Sequence, residues 1–266
     1  MAVLRPPHLW APAPAGNPTR LCPRALGRGP MNVLVTGASR GIGAAIARVL
    51  AAPGRRIVIN YMQNAEAAGA VARDVRERGA EAEIVGGDVR SEDALKELAR
   101  RAGPLDVLVH NAAIGVMKPF DQIRTAQWDL TLESSLRPFW LLTRLATLNE
   151  GASVIGISSL GSRQYTPGYA AIGASKAGME ALTRQLAVEL APRVRVNTVC
   201  GGLVRTDALR YFPEGEKMVA AAEHLTPFKR LGTPEDIANV VSLLVDPRAG
   251  WITGQVIVAD GGLSLM

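Results

Sequence analysis

Ser159, Tyr165, Tyr169 and Lys176 fall within one short stretch, SLGSRQYTPGYAAIGASK, which brings together a hydroxyl, two phenols and an ammonium. A phenol held near an ammonium can act at neutral pH as a proton donor and as a partner for a developing oxyanion. If Tyr169 opens a helix, Lys176 lies seven positions further on. At about 100° per residue that is close to two full turns, so both side chains share one face. Read alone, the stretch favours the plainer reading, with Tyr169 a helix-start aromatic and Lys176 a solvated charge. Tyr165 precedes Pro167-Gly168, a loop position that suits facing a pocket or plain packing. The rest of the chain has to separate these readings.

From Met31 onward, strand-like and helix-like segments alternate. The strands read as Asn32 to Thr36, Arg56 to Asn60, Ala82 to Gly87, Leu105 to His110, Ala152 to Ser158, Val194 to Val199 and Gln255 to Ala259. Helices are expected at Gly41 to Ala52, about Asn64 to Arg78, from the Ser91 cap to Ala102, and about Thr125 to Leu148. Two more run from Tyr169 to Leu190 and from Thr233-Pro234-Glu235, a helix-start signature. Pro138 should kink the long fourth helix. Such βα alternation predicts one α/β domain over residues 31–266, a doubly wound parallel sheet of about seven strands with helices on both faces.

Composition narrows the partners. Hydrophobic residues make up 48% and charged residues 20% of the 266, which suits a globular domain with a sizeable core. The net charge of +6 misleads, because residues 1–30 hold Arg5, Arg20, Arg24 and Arg28 and no acid. The remainder has 26 basic against 24 acidic side chains. A nucleic-acid or membrane partner is therefore not expected, and no apolar run approaches the roughly 20 residues of a membrane span. Two cysteines, Cys22 and Cys200, fit neither a disulfide framework nor a metal site and point to a cytoplasmic setting. With seven of the 17 prolines, residues 1–30 read as a disordered extension, or as sequence ahead of a true start at Met31.

Between the first strand and helix stands Thr36-Gly37-Ala38-Ser39-Arg40-Gly41-Ile42-Gly43. Gly37 permits a tight turn, Gly41 a close approach of pyrophosphate to backbone, and Gly43 close helix packing, while the helix N-terminus offers free N–H groups. This GxxxGxG spacing resembles that of the short-chain dehydrogenase/reductase superfamily, a Rossmann-type fold, and the likeness extends over residues 31–266. The resemblance implies that Asp88 and Val89 contact adenine and that Asn111-Ala112-Ala113 stands for Asn-Ala-Gly after His110. It also implies that Asn197, Gly202, Val204 and Thr206 lie on the cofactor side. Strand two ends in Asn60 and Tyr61 rather than an acid, and Arg40 stands in the glycine loop. A guanidinium there suits a 2′-phosphate, so NADPH is expected over NADH.

The common superfamily pattern Tyr-x-x-x-Lys would need tyrosine at 172, where this chain has Ile172. Tyr169 and Lys176 are spaced instead as in the enoyl-acyl-carrier-protein reductases. The run from Ile157 through Arg184 and the ending from Asp260 are most similar to their NADPH-dependent third isoform. Moving the phenol three residues shifts it about 4.5 Å along a helix axis, and the chemistry suits that shift. In an enoyl thioester, hydride goes to Cβ while charge appears on the thioester oxygen, so the proton donor must sit off the hydride target.

The resemblance implies reduction of trans-2-enoyl thioesters on coenzyme A or acyl carrier protein, in fatty-acid elongation. Tyr169 would stabilise the enolate oxygen, Lys176 would hold the ribose and lower the tyrosine pKa, and Ser159 would position substrate. Ser135 stands where the superfamily often has a relay asparagine. Residues 203–230, with Leu209, Tyr211, Phe212, Met218, Leu225 and Phe228, would form a lid over the acyl chain. Lys217, Lys229 and Arg230 suit a carrier protein or are simply solvated. A homotetramer or homodimer is the family expectation. The alternatives are a reductase of 3-oxoacyl thioesters and a nucleotide-binding sensor without turnover.

Overall fold

The computed structural model describes residues 30–207, 209 and 215–266. The extension 1–29 lies outside the described residues, as do Tyr211, Phe212 and the side chains of Lys217 and Met218 in the expected lid. Seven strands form one sheet: β1 Met31–Val35, β2 Arg55–Tyr61, β3 Glu81–Gly86, β4 Leu105–His110, β5 Leu148–Ser159, β6 Val194–Gly201 and β7 Val256–Ala259. Their order is β3-β2-β1-β4-β5-β6-β7, and every neighbouring pair is parallel. The helices are α1 Gly41–Leu50, α2 Ala65–Glu77, α3 Glu92–Ala102, α4 Thr125–Leu145, α5 Ala170–Glu189, α6 Gly215–Leu225 and α7 Pro234–Val245.

Because successive strand residues face opposite sides, the apolar strands feed two cores. Val33, Val35, Ile57 and Ile59 pack with Ile46 of α1, Val71 of α2 and Val241 of α7. Leu34, Val58 and Leu108 pack with Leu95 of α3, Phe139 of α4 and Met179 of α5. The strand order reverses between β1 and β4, leaving a crevice at their carboxyl ends where open α/β sheets bind ligands.

Three departures from the sequence reading have local causes. β5 begins at Leu148 rather than Ala152, because Leu148 pairs with Leu105 and the Leu105 N–H donates to the Thr147 carbonyl at 2.8 Å. The polar Asn149-Glu150-Gly151 hides that start, and α4 ends at Leu145 accordingly. Pro138 is buried within α4 without ending it. Flanking turns are held by Thr131 Oγ1 donating to Gln127 O at 2.9 Å and Thr143 Oγ1 to Phe139 O at 2.7 Å. Finally, α6 supplies an 11-residue helix within the lid region. Among the described residues no helix is long and apolar enough to cross a membrane.

Candidate active site

The crevice is built by threonine, asparagine and glycine acting together. Thr36 Oγ1 accepts the backbone N–H groups of Asn111 and Ala112, each at 3.1 Å. Asn111 Nδ2 donates to the carbonyls of Thr36 and Gly37, each at 3.0 Å. A Cβ on Gly37 would lie 2.8 Å from Ala112 Cα, and one on Gly43 only 2.5 Å from Gly37 O, so side chains are excluded at both. Beside Gly41, at φ +54°, the nearest atom to such a Cβ is Thr206 Cγ2 at 3.7 Å, which leaves the backbone approachable.

Arg40 precedes α1 in extended conformation, its side chain makes no capping hydrogen bond, and no acid stands in the first turn of the helix. Its free N–H groups and positive dipole end therefore meet the crevice, as an anion site requires. Ser39 is half-buried in the same turn and Ile42 packs into the core below it. The Arg40 side chain is exposed, with no ion-pair partner among the described residues. These features fit a dinucleotide.

Asn60 turns inward instead of outward. Its Nδ2 donates to Val85 O at 3.3 Å and Gly87 O at 3.1 Å, while its Oδ1 accepts the Gly37 N–H at 3.3 Å. It braces the glycine turn, leaving half-buried Tyr61, stacked by Gly86, at the rim. Asp88 is gripped by Arg90, whose Nη2 donates at 2.5 Å and whose hydrogen bonds hold the carboxyl below its ordinary pKa. Val89 and Val204 are buried, Ala113 is exposed, and Gly202 passes so close to Asp260 that a Cβ would meet it at 2.7 Å. Asn197 is buried, bonded to Ile252 O and the Gln255 N–H, so it ties β6 to the approach of β7 and does not face the crevice.

At the catalytic stretch the structure brings together Tyr169, Ser159 and Lys176. Tyr169 is the residue capping α5 rather than its first helical one, and Ser159 ends β5. The two side chains are hydrogen-bonded; burial raises the phenol pKa, the bond to Ser159 lowers it, and nearby Cys200 adds to the rise. The expected lowering by Lys176 gives way to this balance. Lys176 is itself buried, donates Nζ to the Ile157 carbonyl at 2.8 Å, and is lowered by burial to about 8. Tyr165 stands apart, 88% exposed, on a cleft of about 510 Å³ shared with Lys118, Phe120 and one side of Tyr169. Ile172 packs against Gly115, where a Cβ would lie 2.4 Å from its side chain.

Sequence reasoning missed several residues that hold this cluster. The Tyr169 ring lies on Gly161, and Gly173 admits the Gly161 carbonyl, a Cβ there coming within 2.5 Å of it. Glu180 is buried beneath the serine loop; lying four residues after Lys176, on the same helix face, it was the one signal available. His110 Nε2 donates to the Ser135 carbonyl at 2.8 Å, which leaves Nδ1 to accept from Thr36 Oγ1 at 3.3 Å. Burial, aided by the charge of Lys176, lowers this imidazole to about 3, so it is neutral. Ser135 Oγ is buried with no hydrogen-bond partner among the described residues.

Comparison with known proteins agrees with this geometry. The family model described as Enoyl-(Acyl carrier protein) reductase matches residues 37–264. A short-chain dehydrogenase/reductase of Serratia marcescens superimposes with a TM-score of 0.82 at 32% identity, over 90% of this chain and 98% of that one. The chain belongs to the short-chain dehydrogenase/reductase superfamily. It is an NAD(P)H-dependent oxidoreductase of that superfamily, of the reductase type. Among curated members of the superfamily, it is 37% identical over 242 residues to 1-cyclohexenylcarbonyl-CoA reductase of Streptomyces collinus, covering 88% of this chain and 86% of that protein. It is 35% identical over 240 residues to a 3-oxoacyl-[acyl-carrier-protein] reductase of a Synechocystis strain, covering 86% of this chain and 95% of that protein.

Proposed function

We propose that this enzyme reduces the trans-2 double bond of enoyl thioesters with NADPH. The observation that carries the reading is the pairing of Tyr169 with Ser159 beside buried Lys176, while position 172 holds an isoleucine packed on Gly115. NADPH, when bound, supplies the hydride that Cβ of the thioester accepts. Tyr169 then donates its hydrogen bond to the thioester oxygen as negative charge gathers there, and Ser159 fixes the direction of that phenol. Lys176 keeps a cation below the site, and Tyr169 or water delivers the proton to Cα. The dinucleotide would be held by Gly37, Ser39, Gly41, Ile42 and Gly43 in the turn, by Asn111, Ala112 and Ala113 after β4, and by Asp88 and Val89 near the adenine. Gly202, Val204 and Thr206 would close it in, with Tyr61 at the rim and Asn60 acting through the glycine turn. Arg40 takes the 2′-phosphate, which selects NADPH over NADH.

The similarity to a 1-cyclohexenylcarbonyl-CoA reductase supports an α,β-unsaturated thioester as substrate, on coenzyme A or acyl carrier protein. The similarity to 3-oxoacyl reductases supports a second reading, reduction of the 3-oxo group. A homotetramer or homodimer in the cytoplasm completes the proposal. Trp128 and Trp140 on α4, partly exposed, suit such an interface. Following NADPH absorbance with crotonyl- and acetoacetyl-coenzyme A separates the readings. Oxidation with the crotonyl thioester, abolished in Tyr169→Phe, is expected; oxidation with the acetoacetyl thioester alone overturns the first reading in favour of the second.

A further inference from the structure

Glu180 is a carboxylate with a side chain only 7% exposed, on the inner face of α5. Among the described residues its three hydrogen-bond partners come from one stretch, the end of β5 and the loop that follows it. Ser158 Oγ donates to Oε1 at 2.7 Å, Ser162 Oγ donates to the same oxygen at 2.6 Å, and Arg163 Nε donates to Oε2 at 3.0 Å. Ser162 also reaches the thiol of Cys200, which burial raises to about 11. Burying a carboxylate gains little stability even when it is fully paired, so its placement calls for another reason.

That reason lies in what the loop carries. Between Ser158 and Ser162 stand Ser159, the hydrogen-bond partner of Tyr169, and Gly161, the surface on which the Tyr169 ring rests. Helix α5 thus meets the loop twice, through Tyr169 and Gly173 at its start and through Glu180 further along. Serine loop and tyrosine are thereby tied to the same helix at two places.

Resting on the reading of Tyr169 and Ser159 as the reacting pair, we propose that Glu180 is the positioning residue that aligns Ser159 with Tyr169. It acts by clamping residues 158–163 to α5 and touches no reacting atom. A glutamine at 180 that keeps its oxygen on the two serines sets its amide N–H against the Arg163 N–H, two donors facing each other. That side of the clamp opens and the carboxylate charge is lost while the volume is kept.

The test uses the full-length enzyme with NADPH and whichever of crotonyl- or acetoacetyl-coenzyme A the parent turns over. Glu180→Gln is expected to lower kcat by about 10- to 100-fold, the scale of a displacement near 1 Å in a reacting geometry, with KM for NADPH within about twofold. In a Ser159→Ala background the same change is expected to lower the residual kcat by less than about twofold, since the alignment it serves is already gone. Equal losses in both backgrounds, or none in the parent, would overturn the proposal. If Glu180→Gln does not fold, Ser162→Ala, which removes the hydrogen bonds to Glu180 and Cys200 and no charge, is read by the same comparison. Failure of the underlying reading is seen separately, as full activity in Tyr169→Phe.

Discussion

Gly161→Ala tests how tightly the phenol is held. A Cβ at 161 would lie 2.3 Å from Cδ1 and 2.5 Å from Cε1 of Tyr169, where ordinary carbon contacts begin near 3.4 Å. The ring must therefore retreat by about 1 Å, or the loop must move by as much. Gly161 is not among the glycines at positive φ, so alanine meets no backbone penalty and the perturbation is steric. A 1 Å error in a reacting geometry costs about 100-fold in rate, and overpacking of this kind costs about 1–3 kcal/mol of stability. The expected result is a kcat about 100-fold lower, unchanged affinity for NADPH, and a modest fall in Tm. Steady-state kinetics, NADPH fluorescence titration and a thermal melt supply the three readings. An alanine enzyme with parental kcat would show that the ring has room to move. The claim that Gly161 fixes the phenol would then be refuted.

Arg40→Ala is expected to raise KM for NADPH by about 10- to 100-fold, the scale of charge-assisted hydrogen bonds, and to leave KM for NADH unchanged; parallel saturation curves with the two cofactors check it. His110 should make the fold acid-sensitive. Its folded pKa of about 3 lies below the ordinary histidine value of 6.5, so the unfolded chain binds the proton first. The contribution is therefore complete above pH 6.5 and falls away toward pH 3 by about 1.4 kcal/mol per pH unit. Denaturant unfolding of parent and His110→Asn between pH 6 and pH 4 should show the two stability curves converging by about that slope; parallel curves would exclude the histidine.

What the sequence made legible was local. The order of strands and helices follows from apolar runs and their spacing, and the glycine turn from the conformations it demands at Gly37 and Gly41. The shared face of Tyr169 and Lys176 follows from helical period alone. Hidden from it were contacts between elements far apart in the chain. Nothing in Asn60 says that its amide turns to Val85 and Gly87 instead of toward a ribose. Nothing in His110 announces a partner in the Ser135 carbonyl of α4, 25 residues further along the chain. Charge sign alone suggested that Lys176 would lower the tyrosine pKa; burial, which a sequence does not display, reverses the direction.

The tyrosine spacing shows why both kinds of information are needed. Tyr169 three residues early on α5 would not by itself separate enoyl from oxo chemistry, since position 172 lies one turn further along and could carry a second polar group. The structure fills that turn with Ile172 and seats it against Gly115 in the loop after β4. With a Cβ at 115 held to 2.4 Å from Ile172, the loop tolerates this isoleucine only because position 115 is glycine. The absence of a phenol at 172 is thus built into the packing of two elements, and the departure in spacing has a partner in a separate loop. A change of reaction type in this scaffold would have to alter both positions together.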